Sequence, residues 1–266
     1  MVERGIVLKR IREIYSYREM IYSLVKRELR GRYQRSVLGL LWTMLNPLFQ
    51  ILVYTIIFTF VFPNNIPEYH LYLMTGLIPW TFFNESLIEG ASSVIVNGDL
   101  TRKIYFPRDV LAISKVTSKF VNFILSLIVV FAFLIFSNRG ISIKHLIYLP
   151  IIMIIEYLMC LGFALFFSAI TVYFRDMEYI VGVIMMAWVW GTPIMYDASI
   201  IQNEYVKLLL NINPMTGIIN AYHQVLYHQQ TPSIQQLCTS LLAAVIVLVI
   251  GEVIFVKLEA NFAEEL

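Results

Sequence analysis

The sequence predicts an all-α integral membrane protein: six transmembrane helices, an N-terminal amphipathic interfacial helix, and a re-entrant helical hairpin between spans five and six. Three observations carry that expectation. Of 266 residues, 59% are hydrophobic and only 14% are charged, where an average soluble domain has about 25% charged residues. The apolar residues fall in blocks of about 20, the length a helix rising 1.5 Å per residue needs to cross a ~30 Å hydrocarbon core. Finally, placing the N-terminus inside puts seventeen of the 20 Lys and Arg on one side, the positive-inside bias of cytoplasmic loops. Both termini are therefore expected to be cytoplasmic. Collagen-like, disulfide-scaffold and disordered classes are excluded, since Gly is 12, Pro 9 and Cys 2 in a chain of long apolar blocks.

The elements follow in order. Residues 1–37 hold ten Lys or Arg and no apolar run of the kind a secretory signal needs. Within them Ile11, Ile14, Tyr15, Ile21, Tyr22, Val25 and Leu29 recur at helical spacing, interleaved with Arg10, Arg12, Arg18, Lys26 and Arg30. That is the pattern of a helix lying in the membrane interface, or of one packed on a partner protein. Residues 38–256 form the membrane domain, with spans at 38–62, 71–96, 113–136, 147–172, 179–196 and 237–256, and residues 257–266 form a cytoplasmic tail. Pro79, Glu85 and Glu89 interrupt the second span, and Gly191 with Pro193 breaks the fifth. The inner loop 97–108 and its flanks contribute Arg102, Lys103, Arg108, Lys115 and Lys119 to the inner charges. Between spans five and six, 205–212 and 215–226 are apolar but too short to cross. They meet at Asn213-Pro214, a turn signal, which makes 205–226 the outer re-entrant segment.

The sequence contains no Gly-rich phosphate loop ending in Lys-Ser or Lys-Thr, no Gly-x-Ser-x-Gly elbow and no His-Glu-x-x-His pair. The chain is accordingly expected to have no ATPase site and no catalytic residues of its own. No metal site is expected either, because His70, His145, His223 and His228 scatter over outer loops, and Cys160 and Cys238 sit in apolar runs. Ionisable groups at membrane depth cost ~2.5–3.5 kcal/mol each and mark function by default. They are Glu85, Glu89, Glu156 and Glu252. Glu85 and Glu89, four apart, share one helix face and serve either as an acid–base pair or as the polar wall of a water-filled path. Tyr105 and Phe106, held by Pro107 on a loop with Arg102 and Lys103, have the composition of a protein-interface anchor, with the headgroup belt as the alternative.

Five motifs, in order, then carry a family resemblance. Arg32-Tyr33-x-x-Ser36-x-Leu38-Gly39-x-x-Trp42, followed by Asn46-Pro47, resembles the entry to the first span of ABC-2-type exporter permeases that move lipid-linked polysaccharides. Gly76-Leu77-Ile78-Pro79-Trp80-x-Phe82-Phe83 resembles their second span, and Asn97-x-x-Leu100-x-Arg102-Lys103-Ile104-Tyr105-Phe106-Pro107-Arg108 their cytoplasmic coupling segment. Tyr173-Phe174-Arg175-Asp176 is similar to the loop after span four, and Thr192-Pro193-Ile194-x-Tyr196 with Asn213-Pro214-Met215 to the outer end.

The resemblance implies a homodimer in a bacterial cell membrane, docked on two copies of a cytoplasmic ATPase subunit that binds the ATP and Mg, with no cofactor in this chain and no nucleic-acid partner. It implies export of teichoic acid, O-antigen or capsule chains linked to undecaprenyl diphosphate. Asn97, Leu100, Arg102, Lys103, Tyr105, Phe106, Pro107 and Arg108 would receive the ATPase stroke, and Pro193, Tyr196, Asn213 and Pro214 would close the outer side. Such a cargo needs cations at one face and aromatic platforms along its route. Arg30, Arg32 and Arg35 stand before the first span, where guanidinium forks hold phosphate bidentately or simply anchor topology. Trp42, Tyr54, Phe58, Trp80, Trp188 and Trp190, with Glu85 and Glu89, are the candidate path, although Trp and Tyr also form interfacial belts. The net charge of +2 favours an acidic polymer such as wall teichoic acid. The competing readings are a drug or small-lipid exporter of the same superfamily, a membrane glycosyltransferase acting on a polyprenyl-linked glycan, and a secondary carrier, which the lack of a visible inverted repeat disfavours.

Overall fold

The architecture comes from a computed structural model that describes residues 10, 12–33, 39, 41–61, 66–137, 140, 142–198 and 201–265. Its principal helices are α1 (Arg18–Tyr33), α2 (Leu41–Ile56), α3 (Tyr69–Ala91), α4 (Asp109–Phe136), α5 (Leu149–Tyr173), α6 (Met177–Trp188), α7 (Glu204–Ile212), α8 (Pro214–Tyr222) and α9 (Ile234–Glu259). Widened π-helical turns extend α2 over Ile57–Val61 and α8 over His223–Tyr227.

The helices run between two ends. At one, α1 lies against the start of α4, and the tails of α5 and α9 meet where the Tyr173 hydroxyl donates to the Leu258 carbonyl at 2.9 Å. At the other, the hydroxyls of Tyr69 and Tyr72 donate to the carbonyls of Met195 and Tyr196 at 2.9 and 3.0 Å, and Tyr227 donates to the Pro67 carbonyl. We call these the α1 end and the hairpin end.

Among the described residues, four stretches are long and apolar enough to cross a membrane: Leu41–Phe60, Asp109–Phe136, Ile143–Tyr173 and Ile234–Glu259. α3 is 23 residues long but more polar, and its burial explains why that is tolerated. Every residue from Leu71 to Trp80 is buried, so α3 is shielded by its neighbours. The expected fifth span, 179–196, is only partly helical. α6 ends at Trp188, and turns at Val189–Thr192 and Thr192–Ile194 follow, since Gly191 and Pro193 cannot propagate the helix. Lys115 and Lys119, counted above with the inner loop charges, lie inside α4.

The main core surrounds α3 and α5 and includes Phe83, Leu87, Ile152, Met159 and Tyr222. A second cluster, with Leu24, Val94, Phe106, Leu165, Phe255 and Phe262, closes the α1 end. α5 and α9 touch backbone to backbone: a Cβ at Gly251 would overlap the Gly162 carbonyl oxygen. Small residues of this kind allow close helix approach where no hydrophobic effect drives association. The apolar face of α1 divides. Leu24 and Val25 are buried, whereas Tyr22 is exposed with Lys26 over its ring at 5.7 Å; just before the helix Tyr15 is exposed too, with Arg18 over its ring at 4.9 Å.

Candidate functional site

A cleft of about 330 Å³ opens between α2, α3 and α4, lined by Trp42, Asn46, Gln50, Thr81, Phe82, Glu85, Lys119, Asn122 and Phe123 among others. Its seam begins with a proline. Pro47 lacks the N–H that would bond to the carbonyl four residues earlier, and the Ser126 hydroxyl of α4 donates to that Thr43 carbonyl at 3.3 Å instead. Phe82 and Phe123 stack across the wall with centroids 5.1 Å apart and planes 11° from parallel.

Lys119 sits at the side of the cleft nearer α1, with its side chain 2% exposed. It donates to Glu85 at 2.9 Å and to Glu89. One turn earlier Lys115 reaches Glu28 of α1 at 2.7 Å and Glu89 at 3.6 Å. The alternation Glu28, Lys115, Glu89, Lys119, Glu85 thus runs from the surface helix into the bundle. A buried ammonium is tolerable only when carboxylates replace its water, and both carboxylate partners of Lys119 come from the same face of α3.

The second feature is a groove of about 590 Å³ at the α1 end, lined by Arg10, Glu13, residues 101–108, Val256, Glu259 and Ala260. Arg10 holds three elements together, bonding to the buried Asp109 at 2.9 Å and to Glu259 at 2.6 Å, with Glu252 at 3.8 Å. Burial opposes its charge, but the three carboxylates prevail and raise the guanidinium pKa above its ordinary value. Glu252 therefore faces Arg10. Arg108 is fixed as well, its backbone N–H and its guanidinium bonding to Glu259 at 2.8 and 2.6 Å. Tyr105 and Phe106 do not form an exposed pair: Tyr105 is 90% exposed and Phe106 only 4%. The chain is extended at Ile104, and successive side chains of an extended segment point to opposite sides. Arg102 and Lys103 are exposed, Pro107 is buried, and Leu100 packs on the α1-end cluster. Asn97 is half-buried and accepts from Arg27 at 2.6 Å.

At the hairpin end Asn213 is the junction. As the N-cap of α8 it accepts from the Met215 N–H at 3.0 Å, with Pro214 in the first helical position. The same oxygen accepts the Trp188 indole N–H at 2.9 Å, and the amide nitrogen donates to the Gly191 carbonyl at 2.7 Å and the Thr192 hydroxyl at 2.9 Å. His223 is buried, with Nδ1 2.9 Å from the Thr75 hydroxyl and Nε2 3.3 Å from the Pro193 carbonyl. A carbonyl only accepts, so Nε2 carries the hydrogen. Tyr222 donates to the fully buried Glu156 at 2.7 Å. Tyr196 donates to the Trp190 carbonyl at 3.0 Å.

The structure brings Trp42 and Glu85 into the cleft and couples Glu89 to it through Lys119. Trp80 and Trp188 stand elsewhere, both against Phe83 with centroids 5.6 and 5.3 Å away. Tyr54 and Phe58 pack on the core, and Trp190 is exposed. Arg30 is exposed, Arg32 lies in the last turn of α1, and Arg35 falls outside the described residues, as do the outer limits 38 and 62 of the first expected span. Sequence reasoning missed Lys119, Asn122, Asn46 and Gln50 as cleft residues, Arg10 as a clamp and His223 as a buried ring.

The comparisons with known proteins agree with one another. The ABC-2 type transporter family matches residues 19–227. The chain is 34% identical over 261 residues to an O-antigen export system permease protein RfbA of Myxococcus xanthus, covering 98% of this chain and 100% of that protein. Two proteins of the same name from Klebsiella pneumoniae are 31% and 30% identical, each over 246 residues, 92% of this chain and 94% of theirs.

Proposed function

Because the chain belongs to the ABC-2 type transporter family, we propose that it is the permease of an exporter that moves undecaprenyl-diphosphate-linked O-antigen glycan across a bacterial cell membrane. In this reading the chain crosses the membrane six times with both termini cytoplasmic, α7 and α8 form a re-entrant outer hairpin, and the permease is a homodimer. Two copies of a separate cytoplasmic subunit bind ATP and Mg and supply the energy. The α1 end is the cytoplasmic one.

The observation that carries the reading is the groove at residues 101–108. An exposed Tyr105 stands there beside exposed Arg102 and Lys103, on a segment fixed from behind by the buried Phe106 and by the clamp of Arg10 and Arg108 on Glu259. An aromatic knob with flanking cations on a rigid base suits a protein partner, since a few aromatic and Arg residues supply most of an interface's energy. The names of the relatives favour O-antigen over the teichoic acid that the net charge suggested. The glycosyltransferase reading loses ground because Glu85 and Glu89 are both engaged by Lys119.

The test is a deletion strain complemented with the tagged chain. Cells without it should hold lipid-linked glycan on the inner face and display none, and the tagged chain should restore display and copurify with an ATPase subunit. Normal surface glycan in the deletion strain, or restoration without a copurifying ATPase, overturns the reading.

A further inference from the structure

From the ties behind residues 101–108 we infer that Glu259 is a positioning residue for energy transfer: through it, the load that an ATPase subunit places on this segment passes to α9, and from α9 to α5. The inference deepens the exporter reading and rests on it.

Chain continuity joins the segment to α3 on one side and to α4 on the other. Its polar tie to α9 is made at one residue. Glu259 closes α9, and its side chain is 17% exposed. One carboxylate oxygen, Oε1, accepts the Arg108 backbone N–H at 2.8 Å, and the other, Oε2, accepts the Arg10 guanidinium at 2.6 Å. Its main-chain carbonyl accepts the Arg108 guanidinium at 2.6 Å. All three bonds have an ionised donor or acceptor, which makes them about twice as strong as neutral ones. The Arg108 guanidinium also stands 5.7 Å from the ring centroid of the buried Phe262, within reach of a cation–π contact.

The contacts close a ring. Arg10 bonds to Asp109 at 2.9 Å as well as to Glu259, and Asp109 is the chain neighbour of Arg108. Residues 108 and 109 are thus held to Glu259 twice, once directly and once through Arg10. The carboxylate cannot turn away from one partner without straining the other. At the opposite end of the segment the tie is weaker: a single exposed hydrogen bond from Arg27 of α1 to Asn97, where water competes for both partners.

The helix that receives the load has little freedom to dissipate it. Tyr173 of α5 bonds to the Leu258 carbonyl, beside Glu259. Two turns further along α9, the backbone of Gly251 lies against that of Gly162 of α5. With two points of attachment, α5 and α9 respond as one body.

The experiment follows amide hydrogen exchange by mass spectrometry in the full chain, copurified with its ATPase subunit in lipid nanodiscs, with and without a nonhydrolysable ATP analogue. In the parent, the analogue should change exchange over residues 101–108 and over 253–259. In Glu259→Ala the change should remain at 101–108 and vanish at 253–259, while ATPase copurification stays near that of the parent. The Arg108 amide, having lost its acceptor, should exchange at least ~10-fold faster. Surface glycan in the complemented deletion strain should fall by ~10-fold, inside the usual range of coupling between two sites. Glu259→Gln, which keeps an oxygen for the Arg108 N–H, should retain the change at 253–259. Glu259→Leu, closer in volume, takes the place of Glu259→Ala if alanine does not give a monodisperse protein.

A merely structural role predicts something else: faster exchange throughout α9 without nucleotide, together with lost copurification. That outcome overturns the inference, as does a parent with no nucleotide-dependent change at 253–259, or a Glu259→Ala variant that keeps the change or keeps normal display. A parent chain that copurifies with no ATPase subunit overturns the exporter reading and the inference with it. Copurification without an effect of Glu259 overturns the inference alone.

Discussion

The imidazole of His223 lies parallel to the phenol ring of Tyr72, with centroids 4.0 Å apart and planes within 5°. The stack joins the π-helical turn after α8 to α3, and it is possible only because position 76 has no side chain. A Cβ at Gly76 would stand 2.8 Å from His223 Cε1 and 3.3 Å from Ile194.

Gly76→Ala should therefore displace the His223 ring and destabilise the hairpin end by about 1–3 kcal/mol, the usual cost of overpacking. Gly182→Ala, where a Cβ meets nothing within 4 Å, should be neutral or slightly stabilising. Thermal unfolding of the two variants in nanodiscs compares them. Equal midpoints would mean that the stack does not constrain position 76.

Tyr105 and Phe106 should separate association from stability. Tyr105→Ala should keep the unfolding midpoint of the parent and lose at least ~2 kcal/mol of ATPase-subunit association, the threshold of an interface anchor. Phe106→Ala, by emptying a buried site, should cost about 3–5 kcal/mol of stability. Copurification and thermal unfolding, measured on both, would contradict this if the effects were exchanged or if Tyr105→Ala retained full association.

Lys119→Met leaves Glu85 and Glu89 facing each other without their shared cation. Removing one partner of a buried ion pair costs about 3–5 kcal/mol, and part of that should return in Lys119→Met combined with Glu89→Gln. A single variant as stable as the parent would show that the lysine is not needed to hold α3 against α4.

Asn213→Ala removes a cap and three further hydrogen bonds at once. Loss of an N-cap alone costs about 1 kcal/mol. We expect a single cysteine introduced at Ile212 to be alkylated faster in the variant, in a background lacking Cys160 and Cys238, as α7 separates from the turn after α6. Unchanged alkylation would place the hold on the hairpin elsewhere, at the bond between Tyr222 and Glu156.

Apolar run length was enough to find α2, α4, α5 and α9, because hydrocarbon thickness dictates it. Gly191 and Pro193 were visible as a break, but how early α6 ends was not, since termination depends on Asn213 capturing the turn from 22 residues away. Lys119 was read as a loop charge because its partners lie 34 and 30 residues upstream. A signal did exist: Glu85 and Glu89 are four apart, and so are Lys115 and Lys119, two complementary pairs at one helical spacing. That Phe106 is buried and Tyr105 exposed was not legible, because composition cannot tell which of two adjacent side chains of an extended segment faces inward. His223 carried no sequence signal, since a lone histidine in an apolar stretch looks the same exposed or stacked.

Only Thr43 and Ile51 of α2 are buried, while α5 and α9 meet with no side chain between them at Gly162 and Gly251. The bundle thus has a stator and a shutter. The helices joined at their glycines cannot slide without a clash of main chains, whereas α2, a wall of the cleft, has little buried surface to hold it in place. Ser126 of α4 ties α2 across the cleft through the Thr43 carbonyl, whose helical N–H partner Pro47 lacks.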